Sequence, residues 1–145
     1  MACIFYSLTT HIMKPLLALL LLLVHFPLNH IMQADIVDDL ALNFKTGNSK
    51  EIAKNFAPSV ELIMIDQEDV YSKVQAEQIL KDFFVKNAPS KTGIIHRVNT
   101  NPSWRLAILS LTTKNGKFRV TITMKVNKAS NSLLITELRI EADKE

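Results

Sequence analysis

Cysteine is nearly absent from this sequence, whose single thiol is Cys3 near the N-terminus. Histidine is scarce as well, and His11, His25 and His30 also lie close to that end. The region from residue 35 onward therefore contains no thiol and one histidine, His96. This composition excludes from that region a disulfide, a cysteine nucleophile and a zinc site built from several Cys or His ligands. We expect neither a bound metal nor a cofactor.

The sequence also lacks an apolar run long enough for a conventional transmembrane helix. Its main apolar run covers residues 16–24 and is nine residues long. A helix needs about 20 apolar residues to cross a hydrocarbon core that is roughly 30 Å thick. The shorter run is instead typical of the apolar core of a secretory signal peptide.

The residues around this run favour a signal peptide. Lys14 supplies a positive charge before the run, Pro27 ends the helix after it, and Ala34 offers a small side chain before a cleavage point. We predict a signal peptide over residues 1–34, cleavage near Ala34, and export of the remaining chain to the periplasm or the exterior. An uncleaved N-terminal anchor is the alternative, and Met13 is an alternative start to Met1.

Residues 35–145 are enough for one domain with a core of its own. Their charges are unevenly distributed, because residues 35–90 contain 10 acidic and 6 basic side chains, whereas residues 91–145 contain 4 acidic and 10 basic ones. The predicted export argues against nucleic acid as a partner. The basic excess favours an anionic ligand or surface, or more simply a solvated sheet face.

The spacing of apolar residues changes near residue 87, from a mostly helical period to strict alternation. Predicted helices cover residues 35–46, 50–56 and 73–86. Predicted strands cover residues 60–65, 70–71, 94–100, 103–113, 117–126 and 133–141. Gly47 is expected to end the first helix, and Ser72 is expected to cap the third. The pair Asn115–Gly116 predicts a type I′ hairpin turn.

The order of these elements limits the fold. Three helices with two strands between them, followed by four strands joined by short turns, are typical of an α+β domain. The sequence therefore predicts a curved, mostly antiparallel sheet that is covered on one face by the three helices of the N-terminal half. Such a domain has a cone-like shape.

Four segments carry a resemblance to a known superfamily. They are Ile79–Phe84, His96, Leu111–Val120 and Ile135–Glu141. Together with the element order, they resemble the nuclear transport factor 2-like superfamily, and more narrowly a small family of exported bacterial domains of unknown function. The resemblance implies a cone that can hold a ligand between sheet and helices, and dimers that form through the open sheet face. It implies no activity.

The predicted ligand-binding residues are those expected at this interior or its mouth. His96, Asp66 and Arg97 are expected to form a polar mouth, because a histidine beside charged groups can bind or switch near neutral pH. Trp104 is a candidate aromatic anchor. Apolar side chains that belong to the core, and that could also line a ligand, are Phe83, Phe118 and Met124.

The resemblance also raises the question of catalysis. Ketosteroid isomerase-like members of the superfamily place a catalytic carboxylate and acidic donors in the interior. Here Asp66 ends a strand, but the inward positions of the late strands carry no Asp or Glu. We therefore predict a non-enzymatic domain that binds a small apolar ligand or a protein partner. The alternatives are an isomerase- or hydratase-like enzyme using Asp66 and His96, and a structural protein that self-associates through Arg119, Thr121 and Thr123.

Overall fold

The computed structural model describes residues 35–65 and 67–143. The predicted signal peptide and Asp66 lie outside these residues. The described helices are α1 (Ile36–Thr46), α2 (Ser49–Lys54) and α3 (Lys73–Lys86). The described strands are β1 (Phe56–Met64), β2 (Gln67–Ser72), β3 (Pro89–Asn101), β4 (Trp104–Thr113), β5 (Gly116–Asn127) and β6 (Ser132–Ala142). Their order is the predicted one.

The ends of the helices follow from local side-chain chemistry. α1 ends at Gly47, whose φ of 65° places it in the left-handed region that glycine adopts without a steric penalty. α2 begins where the side chain of Asn48 accepts a hydrogen bond from the backbone N–H of Glu51. α3 begins with a capping box, in which Ser72 and Gln75 each accept a hydrogen bond from the other's backbone N–H. The predicted roles of Gly47 and Ser72 are confirmed.

The described strands form one sheet in the order β2-β1-β6-β5-β4-β3. All neighbours are antiparallel except β1 and β6, which run parallel. The sheet is curved, and the helices cover one of its faces. The predicted α+β fold, with a mostly antiparallel sheet, is therefore confirmed.

The core fills the space between the helices and this face of the sheet. The apolar stripe of α1, which includes Val37, Leu40 and Phe44, is completely buried. Alternate residues of β5 from Val120 to Met124 are also completely buried. Because side chains of a strand alternate between its two faces, the predicted inward stripe of β5 is confirmed.

Aromatic rings connect α1, α3 and β5 within this core. Phe84 of α3 packs edge to face against Phe44, with ring centroids 5.8 Å apart. Phe83 packs in the same manner against Phe118 of β5, at 5.2 Å. Aromatic rings favour this edge-to-face arrangement because the positive ring edge meets the negative ring face.

The boundaries at the start of the sheet differ from the prediction. α2 ends at Lys54, and Phe56 begins β1, although residues 50–56 were expected to be helical. Phe56 is 1% exposed and pairs with Ile135 of β6, so burial in the sheet outweighs the local helical pattern. Pro58 lies within β1 rather than ending a helix. It falls where the β1–β6 register shifts, and therefore needs no ladder N–H.

The predicted type I′ turn between β4 and β5 is wrong. Thr113 pairs with Gly116, so Lys114 and Asn115 are the central residues, and neither has a positive φ. The side chain of Thr113 explains the difference. Its hydroxyl accepts a hydrogen bond from the N–H of Asn115 at 3.1 Å and donates one to the carbonyl of Gly116 at 3.0 Å. Gly116 alone takes the positive φ in this turn, at 142°.

Candidate functional site

The sheet has a helix-facing side and an open face, and alternation along β4 defines both. Ala107, Leu109 and Leu111 are completely buried against the helices. Between them, Ile108 and Ser110 are half-buried on the open face. Any residue that pairs directly with β4 can therefore be assigned to one side or the other.

This assignment separates two of the predicted site residues. His96 pairs with Ile108, so it lies on the open face, where it is exposed. Arg97 pairs with Ala107, so its side chain lies on the helix-facing side. The structure does not bring these two side chains together, because adjacent residues of a strand point in opposite directions. Asp66, the third residue of the predicted polar mouth, lies outside the described residues.

The other predicted site residues are also distributed over the two sides. Trp104 pairs with Lys125 at the start of β4 and is half-buried on the open face. Phe83, Phe118 and Met124 are buried in the core, where Met124 has no exposed surface. Of these residues, Phe83 alone lines the cleft that lies between α3 and the end of β1.

A cleft of about 440 Å³ lies between α3 and the end of β1. Its apolar lining consists of Met64, Ile65, Ile79 and Phe83. Its polar lining consists of Gln67, Asp82, Lys86 and Asn87. A concave site with apolar walls and a few polar groups is typical of sites that bind small molecules.

Ile65 has an unusual backbone conformation at this cleft. Its φ is 57°, in the left-handed region that a β-branched side chain rarely adopts. Its N–H donates a hydrogen bond to the carbonyl of Ile140 at 2.8 Å, which holds the residue beside β6. The side chain is nevertheless 51% exposed. The chain thus maintains a strained backbone at a position where a large apolar side chain faces the cleft and solvent.

The polar rim of the cleft is fixed by amide hydrogen bonds. Asn115, in the turn between β4 and β5, donates its side-chain amide to the carbonyl of Lys86 at 2.7 Å and to Oδ1 of Asn87 at 3.1 Å. The backbone N–H of Asn87 donates to the carbonyl of Phe83 at 2.7 Å. These bonds attach the end of α3 to the sheet and hold Lys86 at the rim.

A separate charged cluster attaches α1 to β3 and β4. The guanidinium of Arg97 pairs with Asp35 at 3.2 Å and with Asp38 at 2.5 Å, while Arg105 pairs with Asp35 at 3.1 Å. The hydrogen bond from Arg97 lowers the pKa of the Asp38 carboxyl and raises the pKa of Arg97. Arg97, a predicted ligand group, is thus engaged by the start of α1.

The stripe proposed for self-association lies on the open face. Thr121 and Thr123 pair with Arg139 and Glu137 of β6. The hydroxyl of Thr123 donates to the Glu137 carboxylate at 3.3 Å. Arg119, which is exposed, forms an ion pair with Asp143 at 3.3 Å. These contacts are intramolecular, so self-association stays a prediction.

Within residues 35–65 and 67–143, no three His, Cys, Asp or Glu side chains converge closely enough to hold a metal ion. Among the helices described there, none combines the length and the apolar character that crossing a bilayer requires.

The cleft was not predicted from the sequence. The predicted strand over residues 60–65 includes Ile65, although β1 ends at Met64, and the predicted helix over residues 73–86 includes Ile79. Their meeting depends on how α3 packs across β1, which spacing along the chain does not specify. The one local signal in the sequence was an isoleucine at the beginning of a turn, a position where polar residues are usual.

Comparison with known proteins identifies the family. A family model for a domain of unknown function, DUF4783, matches residues 37–141. A search of curated proteins found no match. A DUF4783 family protein of known structure from Bacteroides ovatus is 29% identical, with a TM-score of 0.68 over 73% of this chain and 94% of that protein. One from Bacteroides uniformis is 26% identical, with a TM-score of 0.71 over 77% of this chain and 100% of that protein.

More distant structures share the fold alone. An NTF-2 like protein of unknown function from Silicibacter pomeroyi is 10% identical, with a TM-score of 0.55 over 74% of this chain and 89% of that protein. The expected superfamily is confirmed by this likeness together with the family match. The chain belongs to the DUF4783 family of domains of unknown function and has an NTF2-like fold.

Proposed function

We propose that this domain is a non-enzymatic binding domain that takes a small apolar or amphipathic ligand into the cleft between α3 and the end of β1. The observation that carries the proposal is Ile65, a strained and half-exposed isoleucine at the cleft. Strained backbone is retained where the surrounding structure forces it, and such residues cluster at functional sites. A ligand that covers Ile65 would remove its apolar surface from water.

The packing of the core supports a site at this position rather than deeper in the cone. The interior positions of β5 and the stripe of α1 are completely buried, which leaves their side chains packed against one another. The cleft, in contrast, is bordered by Phe83, which is 6% exposed and marks the limit of the core. A ligand in the cleft can therefore contact Phe83 at the edge of the core without displacing a core side chain.

The geometry does not favour the alternative of an enzyme that uses Asp66 and His96. His96 lies on the open face of β3, whereas the cleft lies on the helix-facing side of β1. An imidazole on the other side of the sheet cannot exchange protons with a ligand held beside α3, because proton transfer needs hydrogen-bond distance or one bridging water. This supports binding without catalysis.

Self-association is a second candidate, favoured by one observation on the open face. Leu106 and Ile108 of β4, with Val98 of β3, form a half-buried apolar group beside Thr121. We propose that this group and the predicted stripe Arg119, Thr121 and Thr123 form a weak dimer interface. Sedimentation velocity over a range of concentrations tests it. A dimer that Thr121→Arg abolishes supports the proposal, and a monomer at all concentrations contradicts it.

We also propose that the domain acts after export, as the N-terminal segment predicts. Cell fractionation followed by intact-mass measurement tests this. A protein in the periplasmic or secreted fraction that has lost about the first 34 residues supports export. A full-length protein in the cytoplasmic fraction contradicts it.

Binding in the cleft can be tested with N-phenylnaphthylamine, a neutral apolar dye whose fluorescence rises in apolar sites. We expect the purified protein to bind the dye, and Ile65→Asp to weaken binding about tenfold, because a charge replaces apolar lining. Aspartate tolerates the left-handed region better than isoleucine, so this variant should fold. The matched control is Val74→Asp on α3, because Val74 is 75% exposed and lies outside the cleft. Equal dye binding by the two variants contradicts the proposal.

A further inference from the structure

We infer that the ligand of this cleft is an anionic amphiphile, with its apolar part against Ile65 and Phe83 and its charged head against Lys86. The inference rests on the proposed function and adds the chemical class of the ligand. Two features of the cleft support it: the charges at its rim, and the separation of its apolar lining from its polar lining.

Among the described residues, the two charged side chains that line the cleft, Asp82 and Lys86, differ in their hydrogen-bond partners. Asp82 accepts a hydrogen bond from the side-chain amide of Gln78 at 3.1 Å. Lys86, one helical turn later, forms no ion pair with any described residue. An ammonium without a protein partner can make a charge-assisted hydrogen bond to a carboxylate, sulfonate or phosphate oxygen.

No described carboxylate, that of Asp82 included, lies within ion-pair distance of the Lys86 ammonium. The carboxylate of Asp143, just beyond β6, is paired with Arg119 at 3.3 Å. Lys114 is exposed in the turn between β4 and β5, and its N–H donates to the carbonyl of Ala88, so this second lysine lies next to the end of α3.

The carbonyls at the end of α3 also have partners. Those of Phe83 and Lys86 accept hydrogen bonds from the amides of Asn87 and Asn115. This reduces the negative character that a helix C-terminus otherwise presents. These bonds remove one source of negative charge from the rim beside Lys86.

The apolar and charged groups lie in one cleft, which selects a ligand containing both. Met64, Ile65, Ile79 and Phe83 provide surface for a hydrocarbon group, and Lys86 lies one turn of α3 beyond Phe83. A free inorganic anion leaves the apolar surface uncovered, while a neutral hydrocarbon leaves the ammonium without a partner. Alkyl carboxylates and alkyl phosphates satisfy both requirements.

The test compares two dyes that differ by one charged group. Anilinonaphthalene sulfonate is N-phenylnaphthylamine with an added sulfonate. At low salt we expect the sulfonate dye to bind about fivefold more tightly than the neutral dye, because one charged contact at a solvated rim contributes roughly 1 kcal/mol. Added salt should reduce this difference.

Variants of α3 locate the effect. Lys86→Gln should remove the fivefold preference for the sulfonate dye over the neutral dye. The matched control is Lys81→Gln, an exposed lysine of the same helix that does not line the cleft. Suppose that Ile65→Asp weakens binding of the neutral dye, but that the original protein binds the sulfonate dye no more tightly than the neutral dye. The charge inference then fails and the cleft proposal stands. If Ile65→Asp affects neither dye, both fail.

Displacement of the sulfonate dye then distinguishes the source of the head group. Dodecanoate, dodecyl phosphate and dodecanol share one alkyl chain and differ in the head. We expect at least one of the two anions to displace the dye at a concentration about fivefold lower than dodecanol requires. Dodecanol displacing as well as both anions overturns the inference. Whichever anion is more effective identifies a carboxylate or a phosphate as the natural head group.

Discussion

The two long helices are attached to the sheet by different chemistry. α1 begins with Asp35 and Asp38, which pair with arginines of β3 and β4. The end of α3 is held by hydrogen bonds from the side-chain amide of Asn115, and a cleft lies between α3 and the end of β1. Ion pairs therefore occupy the polar groups on the α1 side, while the α3 side retains an ammonium and an exposed isoleucine.

This difference shows where binding can occur in a small cone. A guanidinium that already pairs with carboxylates, such as Arg97, offers fewer donors and less uncompensated charge to a ligand. Lys86 has no such partner among the described residues, and Ile65 already lies in a strained conformation. The α3 side can therefore bind a ligand without breaking an existing contact.

Truncation of a core phenylalanine should have the largest effect and should differ between the two helices. Phe44 of α1 is 0% exposed, so we expect Phe44→Ala to lower the free energy of unfolding by about 3–5 kcal/mol. Phe83→Ala should cost about 1 kcal/mol less, because the space left at the cleft can open to solvent. Urea unfolding measures both. Equal losses would contradict a looser packing of α3.

Removal of the amide attachment should have the next largest effect. Asn115→Ala deletes the hydrogen bonds to Lys86 and Asn87, so we expect a loss of about 1–2 kcal/mol in the free energy of unfolding. Lys114→Ala in the same turn is the control and should change stability by less than about 0.5 kcal/mol. Hydrogen exchange should accelerate at the end of α3 in the first variant only. Similar exchange in both would show that Asn115 does not hold the helix.

Relief of the strained turn should raise stability. Ile65→Asn places a residue that tolerates the left-handed region at φ 57°, so we expect a gain of about 0.5–1 kcal/mol in the free energy of unfolding. Val85→Asn is the control, because Val85 is 70% exposed on α3 in a regular conformation, and no gain is expected there. A loss of stability in Ile65→Asn equal to that of the control would show that the turn is not strained.

The smallest effect should come from the ion pair at α1, and it should depend on pH. Arg97 lowers the pKa of Asp38 in the folded state. The ion pair therefore stabilises the fold fully at pH values above the ordinary carboxyl pKa of about 3.9. This stabilisation is lost as pH falls through the lowered pKa of the folded state.

Asp38→Asn should therefore be less stable than the original protein at pH 6, and the difference should shrink as pH falls below the ordinary carboxyl pKa of about 3.9. Thermal unfolding across this range measures the difference. The control is Asp39→Asn, because Asp39 forms no ion pair with the described residues. A difference between Asp38→Asn and the original protein that does not shrink as pH falls would contradict the carboxylate as its origin.

Much of the fold could be predicted because its signals are local. Gly47 ends α1 through its own backbone freedom, Ser72 caps α3 through a side chain three residues away, and β5 displays its two faces by alternation. The predictions were wrong where a specific contact overrides the local sequence pattern. Phe56 follows its partner in β6 rather than the helical pattern before it, and the hydroxyl of Thr113 changes the turn that Asn115 and Gly116 alone would favour.

The candidate site could not be predicted because it depends on which sides of the sheet its residues occupy. The order of His96 and Arg97 in the sequence placed them together, but their pairing with β4 places them on opposite sides. Ile65 and Lys86 are far apart in sequence and meet because α3 crosses the end of β1. Charge counts of the C-terminal half favoured an anionic ligand or surface, or more simply a solvated sheet face, whereas the ammonium at the cleft belongs to α3.

The parallel pairing of β1 with β6 constrains when this protein can finish folding. β6 is the last strand of the sheet, yet it lies between β1 and β5 and pairs with both. Until Ser132–Ala142 has been synthesised, the two halves of the sheet have no common strand, and β1 and β5 expose unpaired edges. Completion of the sheet therefore waits for β6, as expected for folds that rely on contacts between distant parts of the chain. A chain shortened before residue 132 should remain open and prone to aggregation.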